Sequence, residues 1–276
     1  YGFGSVLAQA ITTNGNGTKV TAVVSNGSQD NIEQMQMNVA QLGFVQSDVM
    51  SYAYNGERLF EGFPYADFST VAALYMEQVQ IVTCDPDIKS VADLEGKTVS
   101  IGASGSGVYY NALDILAAYD LTEDDINAQY QDFGASADAL QDGKIDAAFT
   151  VAGAPTTAIV DYATTNTLNL VSLSDDELAA IQEAYPFLIR DDLAADTYTG
   201  QDADVTCVAI QATLVASEEL SEDVVYEFVK AMFDNKDALT KGHAKFGFLD
   251  PEAASAGATV TMHPGAEKYY KEVGVL

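Results

Sequence analysis

Hydrophobic positions along this chain switch between a period of two and a period near 3.6. Residues 19–24 (K-V-T-A-V-V) are β-branched and read as a strand. Ser25-Asn26-Gly27-Ser28 then turns into a predicted helix in which Ile32, Met35, Val39 and Leu42 recur at helical steps until Gly43 stops it. Phe44-Val45-Gln46, residues 68–74 and residues 79–84 are further strand candidates. A second set of units follows. A strand over 98–101 leads through Gly102-Ala103-Ser104-Gly105-Ser106-Gly107 into a helix containing Leu113 and Leu116. Ser136 opens a helix closed by Gly143, residues 145–151 form a buried strand, and a helix over 175–184 ends before Pro186. Ser221 caps a long helix with Glu222 and Asp223 in its first turn and Val225, Phe228 and Met232 facing inward. Strands alternating with helices predict an α/β protein with mostly parallel sheets. No solenoid period and no loose linker occurs, so a second lobe would have to be reached through strands.

Composition narrows the function. The 276 residues fit one large domain or two medium ones, and 48% are hydrophobic, enough for a packed core. No run approaches the ~20 apolar residues that span a bilayer. Tyr1-Gly2-Phe3-Gly4 reads as the end of a turn entering a helix, so upstream residues, a signal peptide among them, are expected. Lys and Arg number 12 against 41 Asp and Glu, for a net charge of −29. That balance argues against nucleic acid and against docking on anionic lipid, both of which need basic side chains. A solubility surface suited to a salty or crowded exterior explains it; an acidic face for a partner is the alternative.

Catalytic chemistry finds little support. His243 and His263 are the only histidines, and no G-x-S-x-G elbow or G-x-x-x-x-G-K-[ST] string occurs. The glycines of Gly102-x-x-Gly105-x-Gly107 stand in the wrong order for a dinucleotide loop. Asp124-Asp125 and Asp191-Asp192 sit in acidic, solvated stretches, and no metal-ligand spacing is present. The expectation is no enzyme, no cofactor and no metal. Three turns do stand out: Ser25-Asn26-Gly27-Ser28, Ser104-Gly105-Ser106-Gly107 and Thr150-Val151-Ala152-Gly153. Each follows a predicted strand and precedes a helix, where backbone N–H groups and the positive end of the helix dipole meet a ligand. Ordinary turn chemistry is the plain alternative for any one of them.

Several strings, in order over nearly the whole chain, resemble the TAXI family, the receptors of one class of tripartite ATP-independent periplasmic (TRAP) transporter. They are S-N-G-S with Asn31, L-G-F-V-Q-S-D ending at Asp48, A-Y-N-G at 53–56, L-Y-M-E at 74–77 and I-K-S-V-A-D-L-E-G-K at 88–97. They continue with I-G-A-S-G-S-G at 101–107, D-G-K-I-D-A-A-F at 142–149, Y-T-G-Q-D at 198–202 and H-P-G-A-E-K-Y-Y at 263–270. The resemblance implies a two-lobed type II periplasmic-binding-protein fold with two crossing hinge strands, near 79–84 and 205–210, and a ligand in the cleft between. Residues 1–78 and 208–276 would form one lobe and 79–207 the other. The implied ligand groups are Tyr1, Ser25, Gly27, Ser28, Gln46, Ser47, Asp48, Tyr75 and Glu77, with Ser104, Gly105, Ser106, Gly107, Ala152 and Gly153 from the second lobe. The implied ligand is a small carboxylate or amino acid such as glutamate, glutamine or 2-oxoglutarate. The implied partners are TRAP membrane subunits outside the cytoplasm, with an ABC-type or sensory binding protein as the alternative. Where the family commonly has Thr-Glu after its second-lobe G-S-G, this chain has Val108-Tyr109.

Two further expectations follow. Arg58 and Arg190, the only arginines, lie outside the matched binding strings, so backbone amides would hold a carboxylate and Glu77 or Asp48 an ammonium. Cys84 and Cys207 fall on the two crossing strands, as a candidate bridge or as two thiols packed like small apolar residues.

Overall fold

In the computed structural model, residues 2–15 and 17–276 are described. The chain divides into two compact units, Tyr1–Tyr75 with Gln211–Leu276, and Met76–Ile210. It passes from the first to the second inside one strand and returns inside another.

The first unit opens with α1 (Gly2–Asn14), whose Phe3, Leu7 and Ile11 recur at helical spacing and are buried. Residues 19–24 form no strand, contrary to expectation. Val23 and Val24 are 55% and 72% exposed, and the Thr12 hydroxyl serves both the N–H and the C=O of Val20. β-branching suits a pleated, half-buried surface, and among the described residues no ladder supplies one here. α2 (Ser28–Gln36) buries Ile32 and Met35 but ends before Val39, because Asn38 turns left-handed at φ 57°. Leu42 therefore belongs to β1 (Leu42–Gln46) and not to the helix. α3 (Ser47–Asn55) follows without a loop and stops at Gly56, at φ 71°. The two strands expected at 68–74 and 79–84 are one, β2 (Phe68–Thr83), and it carries the chain into the second unit.

There β3 (Thr98–Ser100), α4 (Gly107–Ala117), β4 (Asn127–Gln129), α5 (Phe133–Gln141) and β5 (Ala147–Ala152) form a βαβαβ run. α6 (Thr157–Thr165), β6 (Asn169–Leu170), α7 (Asp175–Ala184) and β7 (Ile189–Arg190) complete the unit. β3 lies parallel to β4 and β5, with Val99 beside Ala128 and Ala147. The helices α4 and α5 are the crossovers such pairing needs. Antiparallel pairs join it: β2 with β5 and β6, and β7 with β8 (Val208–Ser217). The sheet is thus mixed, not mostly parallel. Val99, Ile101, Ile115, Leu116, Phe149 and Ile210 lie at the centre of the second core.

Back in the first unit, β8 runs antiparallel to β1, placing Gln46 beside Ala212. α8 (Glu222–Asp234), α9 (Lys236–Gly242), α10 (Pro251–Ala256) and α11 (Pro264–Glu272) then cover the core. Ser221 caps α8 through Val224 N–H, and Val225, Phe228, Val229 and Met232 point inward. Each such side chain contributes about 1.5–3 kcal/mol on burial.

The H-P-G-A-E-K-Y-Y string at 263–270 proves to be a packing device. His263 caps α11 and Pro264 occupies its first position. A Cβ on Gly265 would stand 2.3 Å from the Glu222 carbonyl, so only glycine lets α11 cross α8 this closely. Tyr269 stacks on Phe233 at 5.3 Å, and the Tyr270 hydroxyl donates to Val71 O at 2.9 Å. His263 is 2% exposed; its Nδ1 accepts from Gly265 N–H, which leaves Nε2 protonated against Leu220 O. Burial holds its pKa below the ordinary value, outweighing Leu220 O, Glu218 and Glu222, which pull upward. The fold therefore favours the neutral ring, and the unfolded chain takes up the proton first, near pH 6.5. Stability from this contact is present above that pH and is lost as pH falls below it. Replacing His263 by glutamine is expected to flatten the fall in melting temperature between pH 7.5 and pH 5.5, as thermal melts would show.

Candidate functional site

In the first unit the predicted residues Ser28, Gln46, Ser47 and Asp48 converge. Gln46 N–H donates to the Ser28 hydroxyl at 3.1 Å, and Asn31 Nδ2 donates to Phe44 O at 2.7 Å, tying α2 to β1. All four are at most 6% exposed. Asp48 lies in the first turn of α3, where a carboxylate is favoured by the helix dipole, and its Oδ1 accepts from Val49 N–H at 2.7 Å. Gly27 enters α2 at φ 130°, a backbone that side chains rarely adopt. Ser25 lies one residue before Asn26, whose N–H donates to Asp30. Tyr75 joins the same end of the unit. Its carbonyl accepts from Gln211 Nε2 at 3.1 Å, next to the Gln46–Ala212 pair, and its ring meets Phe3 edge-on at 5.3 Å. Tyr1 lies outside the described residues.

In the second unit the turn 101–107 leaves the carboxyl end of β3, and the turn 152–156 that of β5. Because these strands are parallel neighbours, the two turns share one edge of the sheet. Gly102 stands at φ 91°, and a Cβ there would lie 2.6 Å from Val108 Cβ and 2.8 Å from Ser106 Oγ. Gly105 is also left-handed, at φ 82°. Ser106, 5% exposed, caps α4 by accepting from Tyr109 N–H. Ser104 and Gly107 flank it. Tyr109, at the position where the resemblance led to an acidic residue, donates to Glu123 Oε2 at 2.9 Å. Burial and that carboxylate push its phenol up to about 12. The antiparallel register sets Gln78, and hence the neighbouring Glu77, beside Ala152 and Gly153.

Capping varies among the helices: Ser106 caps α4 at its turn, while Asn235 makes no side-chain cap bond at α9. The N-cap residues of α2, α3 and α6 (Gly27, Gln46 and Thr156) make no side-chain cap bond. α5, α7 and α8, away from the turns, are capped by Asp132, Ser174 and Ser221. The N-cap side chains of α2, α3 and α6 thus cap none of the first amides, although Asp48 takes Val49 N–H within α3, and a helix N-terminus is where an anion is favoured.

Sequence reasoning missed the residues that shape the turn 152–156: Gln78, Gln80, Thr156 and Tyr198. Gln78 and Gln80 looked like ordinary strand positions, and Tyr198 was visible only as part of a string. Both arginines are engaged elsewhere. Arg190 pairs with Asp175 and Asp192 on the surface, and Arg58 lies 5.2 Å from the Tyr52 ring. The candidate bridge between Cys84 and Cys207 is not formed; both are free thiols, the alternative reading, though only Cys207 is buried. Cys207 is buried and donates to Asp191 O at 2.7 Å, with burial pushing its pKa up to about 12. Cys84 is exposed and lies against Tyr162, so the two sulfurs are held by different neighbours. Among the described residues, no group of His, Cys, Asp or Glu is arranged to hold a metal ion. No helix there is long and apolar enough to cross a membrane.

The chain belongs to the NMT1-like family, which it matches over residues 1–274. Among solved structures it is similar to the periplasmic aliphatic sulphonate binding protein SsuA from Escherichia coli. They share 16% identity over 98% of this chain and 75% of that one, with a TM-score of 0.51. It is also similar to the amino acid ABC transporter substrate-binding protein AbpA from Streptococcus pneumoniae bound to L-arginine (17% identity, 90% and 85% coverage, TM-score 0.51). A third likeness is to the GluR0 ligand-binding core from Nostoc punctiforme in complex with L-glutamate (13% identity, 88% and 90% coverage, TM-score 0.53). At such identities the likeness speaks for the fold. The α/β fold is that of the type II periplasmic binding proteins, as expected from the sequence.

Proposed function

With that family membership as premise, we propose that the chain is an extracytoplasmic solute receptor of the TAXI type. It captures a small carboxylate or amino acid for TRAP membrane subunits and catalyses no reaction. The observation that carries this reading is the polar cluster of Ser28, Gln46, Ser47 and Asp48, at most 6% exposed, where two helices without side-chain caps begin. Helix amides and hydroxyls suit a carboxylate, and Glu77 or Asp48 suits an ammonium, so an amino acid answers both. The turns 104–107 and 152–153 in the second unit supply the remaining ligand groups in this reading. The two histidines do not enter it: His263 is a cap and His243 packs on Phe3.

A second reading keeps the same chemistry and changes the partner. The likeness to a substrate-binding protein of an amino acid ABC transporter supports an ABC-type role. Uptake into membrane vesicles separates the two: solute accumulation without ATP supports the TRAP reading, and accumulation only with ATP supports the other. Calorimetric titration with small carboxylates, amino acids and neutral sugars tests the binding claim common to both.

A further inference from the structure

We infer that Tyr198 and Gln80 are positioning residues that hold the turn 152–156 in the form in which it meets a solute; the inference rests on reading that turn as part of the binding site. The Tyr198 hydroxyl, on a side chain 3% exposed, donates to Gln80 Oε1 and accepts from Thr156 N–H at 2.9 Å. Gln80, 1% exposed, donates through Nε2 to Ala152 O and to Thr156 Oγ1, both at 3.1 Å. Gln78 Oε1 accepts from Ala154 N–H at 2.8 Å, and its Nε2 donates to Asp191 at 2.7 Å. The turn is therefore gripped at residues 152, 154 and 156 by side chains from β2 and by one tyrosine.

This assigns work to the Y-T-G-Q-D string. Gln201 donates to Ala194 O at 3.0 Å and to Ala203 O at 3.1 Å, closing the segment on itself and seating the tyrosine. Thr156 shows the consequence at the turn. A threonine before a helix ordinarily caps it with its hydroxyl. Here that hydroxyl accepts from Gln80 instead, and α6 starts without a side-chain cap. Loss of the Tyr198 hydroxyl leaves Thr156 N–H and the buried Gln80 Oε1 without this partner, and the turn relieves that cost by moving.

Hydrogen–deuterium exchange on the ligand-free full chain reads the turn without any solute. Tyr198→Phe is expected to speed exchange over residues 153–158 by roughly tenfold or more, leaving 101–107 unchanged. Thr156→Val, which keeps the N–H bond to Tyr198, is expected to speed it less. Unchanged exchange over 153–158 in a folded Tyr198→Phe chain overturns the inference. Should that variant not fold, Thr156→Val decides by the same readout, faster exchange supporting and unchanged exchange overturning. Calorimetry with L-glutamate as probe is expected to show Kd raised roughly tenfold in Tyr198→Phe, at a denaturant midpoint that leaves the chain folded. An equal Kd in variant and wild type overturns the positioning role. If the wild type takes up no L-glutamate, the choice of ligand fails, while the exchange result still decides the clamp.

Discussion

Replacing Gly265 by alanine lowers the melting temperature of the chain by about 5 °C, the shift expected when about 3 kcal/mol is lost from a protein of this size. The added Cβ would meet Glu222 O at 2.3 Å, Tyr226 N at 2.6 Å and Val225 Cβ at 2.9 Å. Two of these are backbone atoms of α8 and cannot swing aside, so α11 must lift. Lifting it loosens the Tyr269 stack on Phe233 and the Tyr270 bond to Val71 O. The loss should fall on the first unit's core and leave the turns of the second unit alone. Thermal and urea melts of the variant decide the matter, and a shift under ~2 °C would mean that the α8–α11 crossing tolerates a methyl group.

Gly102→Ala has its largest effect on binding. The position needs φ near 91°, which costs an ordinary residue about 1–2 kcal/mol. The new methyl group also overlaps Val108 Cβ at 2.6 Å and Ser106 Oγ at 2.8 Å, a clash worth about 1–3 kcal/mol. The cheapest relief is to push Ser106 and the start of α4 outward, away from the place the turn 104–107 now holds. If that turn contacts the solute, its displacement weakens binding by roughly 100-fold. Calorimetry of the folded variant checks this. Unchanged affinity would remove the turn from the site.

How much of this could be read from residues alone depends on what each residue needs. α7 emerged with its ends correct, because Ser174 and Glu177 form a capping box and Pro186 follows. Residues 19–24 looked like a strand because propensity describes a residue, whereas a strand requires a neighbour. The end of α2 was overrun because Val39 and Leu42 kept the helical period, while Asn38 broke the backbone before them. The candidate site divides in the same way. Its glycine and serine turns were legible, since left-handed backbone and helix starts leave local marks. The side chains that hold one turn in place were not: Gln78, Gln80 and Tyr198 reach it from distant parts of the chain. Of the two readings of the cysteine pair, free thiols hold, but the exposure of Cys84 was not legible. Cys84 follows β2 and Cys207 precedes β8, and partners such as Asp191 O decide where each sulfur points.

The central claim is that hydroxyls and main-chain donors at strand-to-helix turns, not arginines, take hold of a small carboxylated solute. Calorimetric titration of the wild-type chain with L-glutamate, L-glutamine, 2-oxoglutarate and D-glucose tests it most directly. One of the first three is expected to bind with single-site stoichiometry and micromolar or tighter affinity, and the sugar not at all. Tight binding of the neutral sugar alone would contradict the account.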